Sequence, residues 1–176
     1  GYIGRRQAVD FLLEGLRRLE YRGYDSAGIV TVQPEVGFTI VKSPGRIQGL
    51  ADRLDEFPTP GTAGIGHTRW ATHGPPTEIN AHPHLGGDGE LVVVHNGVIE
   101  NYMGLKERLR SLGYQFVSAT DTEVIAHLIA YHLSRAADPV DKTKEGFEQY
   151  EPLVRAVQAA IEELRGTYGL VVLFRD

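Results

Sequence analysis

The sequence contains no cysteine among its 176 residues. This absence excludes disulfides, thiolate metal sites and a thiol nucleophile supplied by the chain itself. Positive charge is also scarce. The chain has 18 Lys and Arg and 23 Asp and Glu, which gives a net charge of −5. Nucleic acid is therefore not an expected partner, since phosphate backbones are bound by clustered positive charge. Apolar runs are only a few residues long, so no membrane-spanning segment is expected.

The residues that are present predict one globular domain. Hydrophobic residues make up 41% and charged residues 23% of the chain, which is enough apolar mass for a core and argues against disorder. The chain does not open with the basic and apolar segments of a signal peptide, so a cytoplasmic protein is expected.

Hydrophobic spacing predicts clustered helices and strands. Helical periodicity predicts helices over residues 6–19 and 47–54 and from about residues 102, 121 and 152. Apolar and β-branched runs predict strands over residues 27–32, 38–41, 64–67, 91–94 and 168–174. Residues 135–150 are polar and are expected to form a loop. Because these elements do not alternate strictly, we expect antiparallel sheets in a layered α+β fold.

The first candidate for chemistry is the segment Arg69-Trp70-Ala71-Thr72-His73-Gly74 at the end of a predicted buried strand. The Arg69 guanidinium could bind a carboxylate through two parallel hydrogen bonds, with Thr72 and His73 adding polar contacts. The alternative interpretation makes Arg69 half of a surface ion pair and Trp70 a core residue.

Two further candidates follow along the chain. Asn96 and Gly97 could supply a carboxamide and a main-chain N–H to a developing oxyanion. Asn-Gly is also the strongest short signal for a hairpin turn, and taken alone the pair favours that alternative. Asp121 could bind an ammonium group, but Asp121 or Thr120 could instead cap the helix that follows.

Histidine spacing gives little support for a metal. The pair His82-Pro83-His84 could be joined by His67, His73 or His95, but the chain has neither cysteine ligands nor two histidines at helical spacing. The segment Gly86-Gly87-Asp88-Gly89 is interpreted as a hairpin turn, because no helix with phosphate-binding glycine spacing follows it. Neither a metal nor a cofactor is expected.

Five segments together resemble the glutaminase domain of the glutamine–fructose-6-phosphate aminotransferases, also called glucosamine-6-phosphate synthases. They occur in the family's order and span nearly the whole chain: LEYRGYDSAG (19–28), GHTRWATHG (66–74), NAHPH (80–84), HNGVIEN (95–101) and TDTEVIAH (120–127).

The resemblance implies a four-layer αββα sandwich of the N-terminal-nucleophile hydrolase type, incomplete at both ends, with residues 1–176 forming a type-2 (class II) glutamine amidotransferase domain. It implies that an N-terminal cysteine attacks the side-chain amide of L-glutamine, forms a thioester and releases ammonia. The ammonia would pass to a sugar-phosphate isomerase domain, absent here, that binds fructose 6-phosphate. A homo-oligomeric full-length protein is also implied.

The resemblance also assigns substrate-binding residues. Arg69 matches the clamp on the glutamine α-carboxylate, and Thr72 and His73 line the same pocket. Asp121 matches the partner of the α-ammonium group. Trp70 matches a gate between the glutaminase site and the ammonia channel.

The catalytic residues that the resemblance assigns are Asn96 and the Gly97 N–H as the oxyanion hole and Arg22 as the residue that orients the nucleophile. The family's mature chain opens Cys-Gly-Ile-Val-Gly, whereas this sequence opens at the residue that matches the last glycine, Gly1. Two alternatives stay open: a non-catalytic glutamine-binding module, and another class II amidotransferase such as the one that opens purine synthesis. The Tyr-Arg-Gly-Tyr-Asp and Arg-Trp-Ala-Thr-His-Gly strings argue against the second.

Overall fold

The computed structural model describes residues 1–34, 36–136, 143 and 146–175. Its strands are β1 (Tyr2–Ile3), β2 (Ser26–Gln33), β3 (Gly37–Pro44), β4 (Ala63–Arg69), β5 (His84–Gly86), β6 (Leu91–Ile99) and β7 (Gly166–Phe174). Its α-helices are α1 (Ala8–Leu19), α2 (Ile47–Glu56), α3 (Tyr102–Ser111), α4 (Asp121–Ser134) and α5 (Glu151–Glu163).

The strands form two antiparallel sheets. The first has the order β1-β4-β2-β3 and the second has the order β5-β6-β7. In the first sheet Ser26 lies opposite Arg69, and Tyr2 lies opposite Gly64. In the second sheet β6 pairs with β7 along its whole length, which places Asn96 opposite Gly169.

Side-chain alternation along the strands builds the layers. In β2, Ile29 packs against the α1 and α2 side, and Val30 packs against the second sheet. In β6, Val93 packs toward α4, while Val92 and Val94 meet the first sheet. Both faces of these strands are therefore buried, which explains their continuous apolar sequences.

The helices cover the two outer faces. Helices α1 and α2 pack on the first sheet, and α4 packs on β5 and β6 of the second sheet and contacts α3 and α5. Because α4 contacts two strands and two helices, its residues Asp121–Ala130 are all buried. The resulting order of layers is helix, sheet, sheet, helix, so the predicted αββα sandwich is confirmed.

Most predicted elements are found with longer ends, but α1 begins at Ala8, two residues later than predicted, and several expectations need correction. Strand β6 continues through Asn96 and Gly97 to Ile99, so both the predicted strand end at Val94 and the alternative Asn-Gly turn are wrong. Strands β1 and β5 were not predicted. Residues 146–150 of the predicted loop form a 3₁₀ turn, and residues 137–142, 144 and 145 of that loop lie outside the described residues.

The predicted turn at residues 86–89 and the predicted start of the last helix near residue 152 are confirmed. The turn predicted at residues 86–89 joins β5 to β6, with the Gly89 N–H donating to the Gly86 carbonyl at 3.1 Å. Pro152 lies in the first turn of α5. In the described part of the chain, no helix has the length and apolar character needed to cross a membrane.

Candidate active site

The facing surfaces of the two sheets change from apolar to polar toward one end of the sandwich. In β4 the residues with this orientation run from Ile65 through His67 to Arg69, and in β6 they run from Val94 to Asn96. Since the side-chain period of a strand is two, each row is continuous. The apolar part of each row closes the space between the sheets, and the polar part opens into a cavity.

This cavity has a volume of about 240 Å³ and is lined from both sheets and from the start of α4. Its lining residues are Arg22, His67, Thr68, Arg69, Trp70, Thr72, His82, His95, Asn96, Gly97, Val98, Thr120, Asp121 and Thr122. Seven of the eight predicted site residues are therefore brought together at one cavity. The eighth, His73, places its Nδ1 atom 3.8 Å from the Asp121 carboxylate, so it lies directly beside the lining.

Arg69 is buried, with 3% of its surface exposed. Its guanidinium donates to the main-chain carbonyl of His73, and at 3.4 Å to those of Gly74 and Pro75. Burial lowers the pKa of Arg69, and the nearby charges of Asp121 and Asp25 oppose that effect. The interpretation of Arg69 as half of a surface ion pair is therefore wrong: the side chain is a buried cation that holds the following loop.

The loop after Arg69 is fixed to the segment before β2. The Asp25 carboxylate accepts a hydrogen bond from the Ala71 N–H at 2.8 Å, and the Asp25 N–H donates to the Arg69 carbonyl at 3.1 Å. The Tyr24 and Trp70 rings lie 5.8 Å apart. Trp70 is 62% exposed, so the alternative that it is a core residue is wrong. It stands at the rim of the cavity.

Asp121 is the first residue of α4 and is 4% exposed. Its Oδ2 atom accepts a hydrogen bond from the Ile99 N–H at 2.9 Å and lies 3.8 Å from Nδ1 of His95. The helix cap is instead Thr120, whose hydroxyl accepts from the Glu123 N–H at 3.3 Å. The interpretation of Asp121 as the cap is therefore wrong, and that of Thr120 is confirmed.

Arg69 and Asp121 face the same cavity without pairing with each other. Within the described ranges no nitrogen of Arg69 lies within 4.0 Å of an Asp121 oxygen. Their opposite charges stay separate and can bind two oppositely charged groups of one ligand.

Asn96 is oriented by a histidine that the sequence did not single out for this role. Oδ1 of Asn96 lies 2.8 Å from Nε2 of His67. Burial lowers the pKa of His67, so the ring is neutral at pH 7 and its Nε2–H donates to the carboxamide oxygen. The carboxamide NH₂ group is then directed away from His67 and is available as a donor.

Gly97 is required by the close approach of β7. Its φ of +132° is rarely adopted by residues with side chains, and a Cβ atom there would lie 1.9 Å from the Thr167 carbonyl oxygen. Arg22, in the exposed 3₁₀ turn Glu20–Arg22, reaches the cavity from the other sheet.

Two more histidines support the cavity floor. The Thr122 hydroxyl lies 2.7 Å from Nε2 of His82 and 3.1 Å from Nδ1 of His95. Burial lowers the pKa of both rings, which makes them neutral at pH 7. Among the described residues, no group of three or more acidic, histidine or cysteine side chains could hold a metal ion.

The sequence contained a signal for one of these histidines. His67 stands two residues before Arg69 on a predicted strand, so alternation alone places both on one face. No spacing in the sequence links His82 to Thr122, because their segments meet only in the folded chain.

Comparison with known proteins gives the family. Residues 51–138, half of the chain, match the family model described as a glutamine amidotransferase domain. The whole chain is 49% identical to a glutamine–fructose-6-phosphate aminotransferase [isomerizing] of Vibrio vulnificus and 48% identical to that of Thermus thermophilus. The protein of the same name from Escherichia coli is 49% identical over 98% of the chain. The chain spans 26% of the length of each of these relatives.

Solved structures agree with this result. A glutamine phosphoribosylpyrophosphate amidotransferase from B. subtilis aligns with 98% of this chain and 34% of its own, with a TM-score of 0.76 and 27% identity. An allosteric regulatory enzyme of purine biosynthesis aligns over the same shares with a TM-score of 0.78 and 28% identity. On its sequence match and its fold, the chain belongs to the glutamine amidotransferase domain family.

Proposed function

We propose that this domain binds L-glutamine in the Arg69 cavity and, with an N-terminal cysteine, hydrolyses its side-chain amide to glutamate and ammonia. One observation carries the proposal: Arg69, Asp121 and Asn96 line the same cavity. A buried cation and a buried anion are complementary to the carboxylate and the ammonium group of a free amino acid. The NH₂ group of the Asn96 carboxamide can donate a hydrogen bond to the oxygen of the side-chain amide of glutamine.

The energetics favour this orientation of glutamine. Each hydrogen bond to a charged group contributes about 1.5–3 kcal/mol, and a guanidinium can make two such bonds to one carboxylate. Fixing both ends of the amino acid head group restricts the position of the distal amide. Binding of the head group therefore positions the amide carbonyl for attack, which lowers the barrier of the reaction.

The register of β1 supports the position of a nucleophile. Tyr2 lies opposite Gly64 in an antiparallel pair, so each residue added before Gly1 advances one residue along β4. In the family pattern Cys-Gly-Ile-Val-Gly, the cysteine stands four residues before the position of Gly1. A continuous strand would bring it opposite Arg69, about 13 Å from Gly1 at about 3.3 Å per residue.

The proposed reaction then follows from the groups in the cavity. The thiol gives its proton to the terminal amine and attacks the amide carbon, and the developing oxyanion is stabilised by Asn96 and Gly97. Arg22 would orient the nucleophile, and Thr72 and His73 would line the head-group pocket. The terminal ammonium returns this proton to the leaving nitrogen as the C–N bond breaks, so ammonia is released, and water then hydrolyses the thioester to glutamate and the free thiol.

For the longer protein, we propose transfer of this ammonia to fructose 6-phosphate, giving glucosamine 6-phosphate. The name shared by the relatives at 48–49% identity supports this acceptor over that of the purine enzymes, whose identity is 27–28%. A sugar-phosphate isomerase domain, a gating role for Trp70, a homo-oligomeric assembly and a cytoplasmic location belong to the same proposal.

The test uses the chain extended at its N-terminus by Cys-Gly-Ile-Val, with Ser-Gly-Ile-Val as the matched control. We expect the cysteine form to release glutamate and ammonia from L-glutamine and the serine form to be inactive. Glutamine binding without hydrolysis in the cysteine form would instead identify a non-catalytic binding module. Ammonia transfer by the full-length protein to phosphoribosyl pyrophosphate, and not to fructose 6-phosphate, would overturn the proposed acceptor.

A further inference from the structure

A second and larger cavity lies on the other side of the first turn of α4. Thr120, Asp121 and Thr122 line the Arg69 cavity. Glu123 lines the second cavity, whose volume is about 680 Å³. Strand β3 contributes Lys42 to its wall. The proposed glutaminase reaction uses no residue of this second cavity.

The acidic side chains of this cavity already have partners. Glu78 pairs with Arg53 at 2.7 Å. Glu123 accepts hydrogen bonds from the N–H and the hydroxyl of Ser118 at 2.8 and 2.7 Å. The Lys42 ammonium, by contrast, has no hydrogen bond or ion pair within 4.0 Å in the part of the chain that the structure describes. The cavity therefore contains a positive charge without a counter-ion in contact.

The histidines of this cavity do not add to that charge. Nδ1 of His127 accepts from the Gly87 N–H at 3.2 Å, which leaves the proton on Nε2. Nε2 of His84 lies 3.1 Å from the Thr120 hydroxyl. Burial lowers the pKa of both histidines, so both rings are neutral at pH 7.

The rest of the wall is mainly apolar. Ile40, Ile79, Pro83 and Leu85 surround the space next to Lys42. Such walls fit a hydrocarbon or an aromatic ring, and the cation fits an acidic head group. Since Glu78 and Glu123 also face the cavity, a ligand with two negative charges would be repelled more than one with a single charge.

We propose that this cavity is a second ligand site, which takes a small organic monocarboxylate with its carboxylate on the Lys42 ammonium and its apolar body against Ile40 and Leu85. The site is separate from the Arg69 cavity, and its existence does not depend on the proposed hydrolysis.

Hexanoate is a suitable probe, and hexanamide is its uncharged counterpart. We expect saturable hexanoate binding by titration calorimetry and NMR, with shifts centred on the cavity residues, and at least tenfold weaker binding of hexanamide. Inorganic phosphate should bind more weakly than hexanoate. Phosphate binding tighter than hexanoate, equal affinity for the amide, or no saturable binding up to about 20 mM would each overturn the proposal.

Variants of Lys42 separate charge from fold. Lys42→Met keeps the aliphatic stem and should lower hexanoate affinity at least tenfold, whereas Lys42→Arg keeps the charge and should retain binding. Arg18→Met removes a positive charge from the exposed face of α1 and serves as the matched control, with no expected effect. Unchanged affinity in a folded Lys42→Met protein would refute the assignment.

The pH dependence gives a second test. Burial lowers the pKa of Lys42 to about 8, against the opposing charges of Glu123 and Glu78. About 90% of the amine is then protonated at pH 7 and about 10% at pH 9, whereas a lysine with an ordinary pKa stays charged at both. Because His84 and His127 are already neutral at pH 7, we expect roughly tenfold weaker hexanoate binding at pH 9. An affinity that is constant between pH 7 and pH 9 would contradict the role of Lys42.

Discussion

Replacing Asp121 by asparagine should weaken glutamine binding without unfolding the domain. The carboxylate accepts a hydrogen bond from the Ile99 N–H at 2.9 Å, and an asparagine oxygen of the same shape can accept that bond. The fold is therefore preserved, and the negative charge is removed. What the substitution tests is the pairing of this charge with the α-ammonium group.

The expected magnitude follows from the burial of Asp121. It is 4% exposed, and the ring of His95 beside it is neutral because burial lowers its pKa. The ligand ammonium would then be the main cation in contact with the carboxylate. Removing one partner of a buried, hydrogen-bonded charge pair costs about 2–5 kcal/mol, which corresponds to a loss of about 30-fold or more in affinity.

The assay is titration calorimetry with L-glutamine and with N-acetyl-L-glutamine, which has no ammonium group. The unmodified chain should prefer glutamine strongly, and Asp121→Asn should lose most of that preference. Asp10→Asn, at the exposed start of α1, is the matched control and should behave like the unmodified chain. A folded Asp121→Asn protein that binds glutamine within about threefold of the unmodified chain would refute the ammonium role.

Three further outcomes are expected. In the chain with the N-terminal cysteine, Asn96→Ala should lower kcat about 100- to 1000-fold with a smaller change in KM, and an unaltered kcat would remove Asn96 from the oxyanion hole. In the same chain Arg69→Ala should raise KM for glutamine strongly, and a change below about threefold would exclude the carboxylate clamp. Burial lowers the folded-state pKa of His67, His82 and His84, so the unfolded chain binds more protons below about pH 6.5 and stability falls on acidification. The loss is at most about 1.4 kcal/mol per histidine per pH unit, and equal urea midpoints at pH 7.5 and 5.5 would contradict it.

The sequence predicted the layers because strand and helix periods are local properties. The apolar run of β6 and the apolar stripe of α1 each indicated an element and its buried face. The ends of these elements depend on pairing with distant segments, and the Asn96-Gly97 pair is the clearest case. A local preference for a turn was overridden by pairing with β7, in which Asn96 lies opposite Gly169.

The site residues were named from the sequence, but their environments depend on long-range contacts. Arg69 is buried, and its guanidinium donates to carbonyls of the loop that follows it, whereas the adjacent Trp70 is exposed. The orientation of Asn96 by His67 joins two sheets across 29 positions of sequence. The cavity at Lys42 on β3 could not be predicted from the sequence. Its lining residues lie between positions 40 and 127 and come together only in the folded chain.

The central claim is that Arg69 and Asp121 hold the head group of glutamine while its amide faces Asn96. A crystal structure of this chain with L-glutamine bound tests it most directly. The predicted result is the α-carboxylate on the Arg69 guanidinium, the ammonium group on the Asp121 carboxylate, and the amide oxygen within hydrogen-bond distance of the Asn96 carboxamide. Glutamine bound in the opposite orientation, or outside this cavity, would contradict the claim.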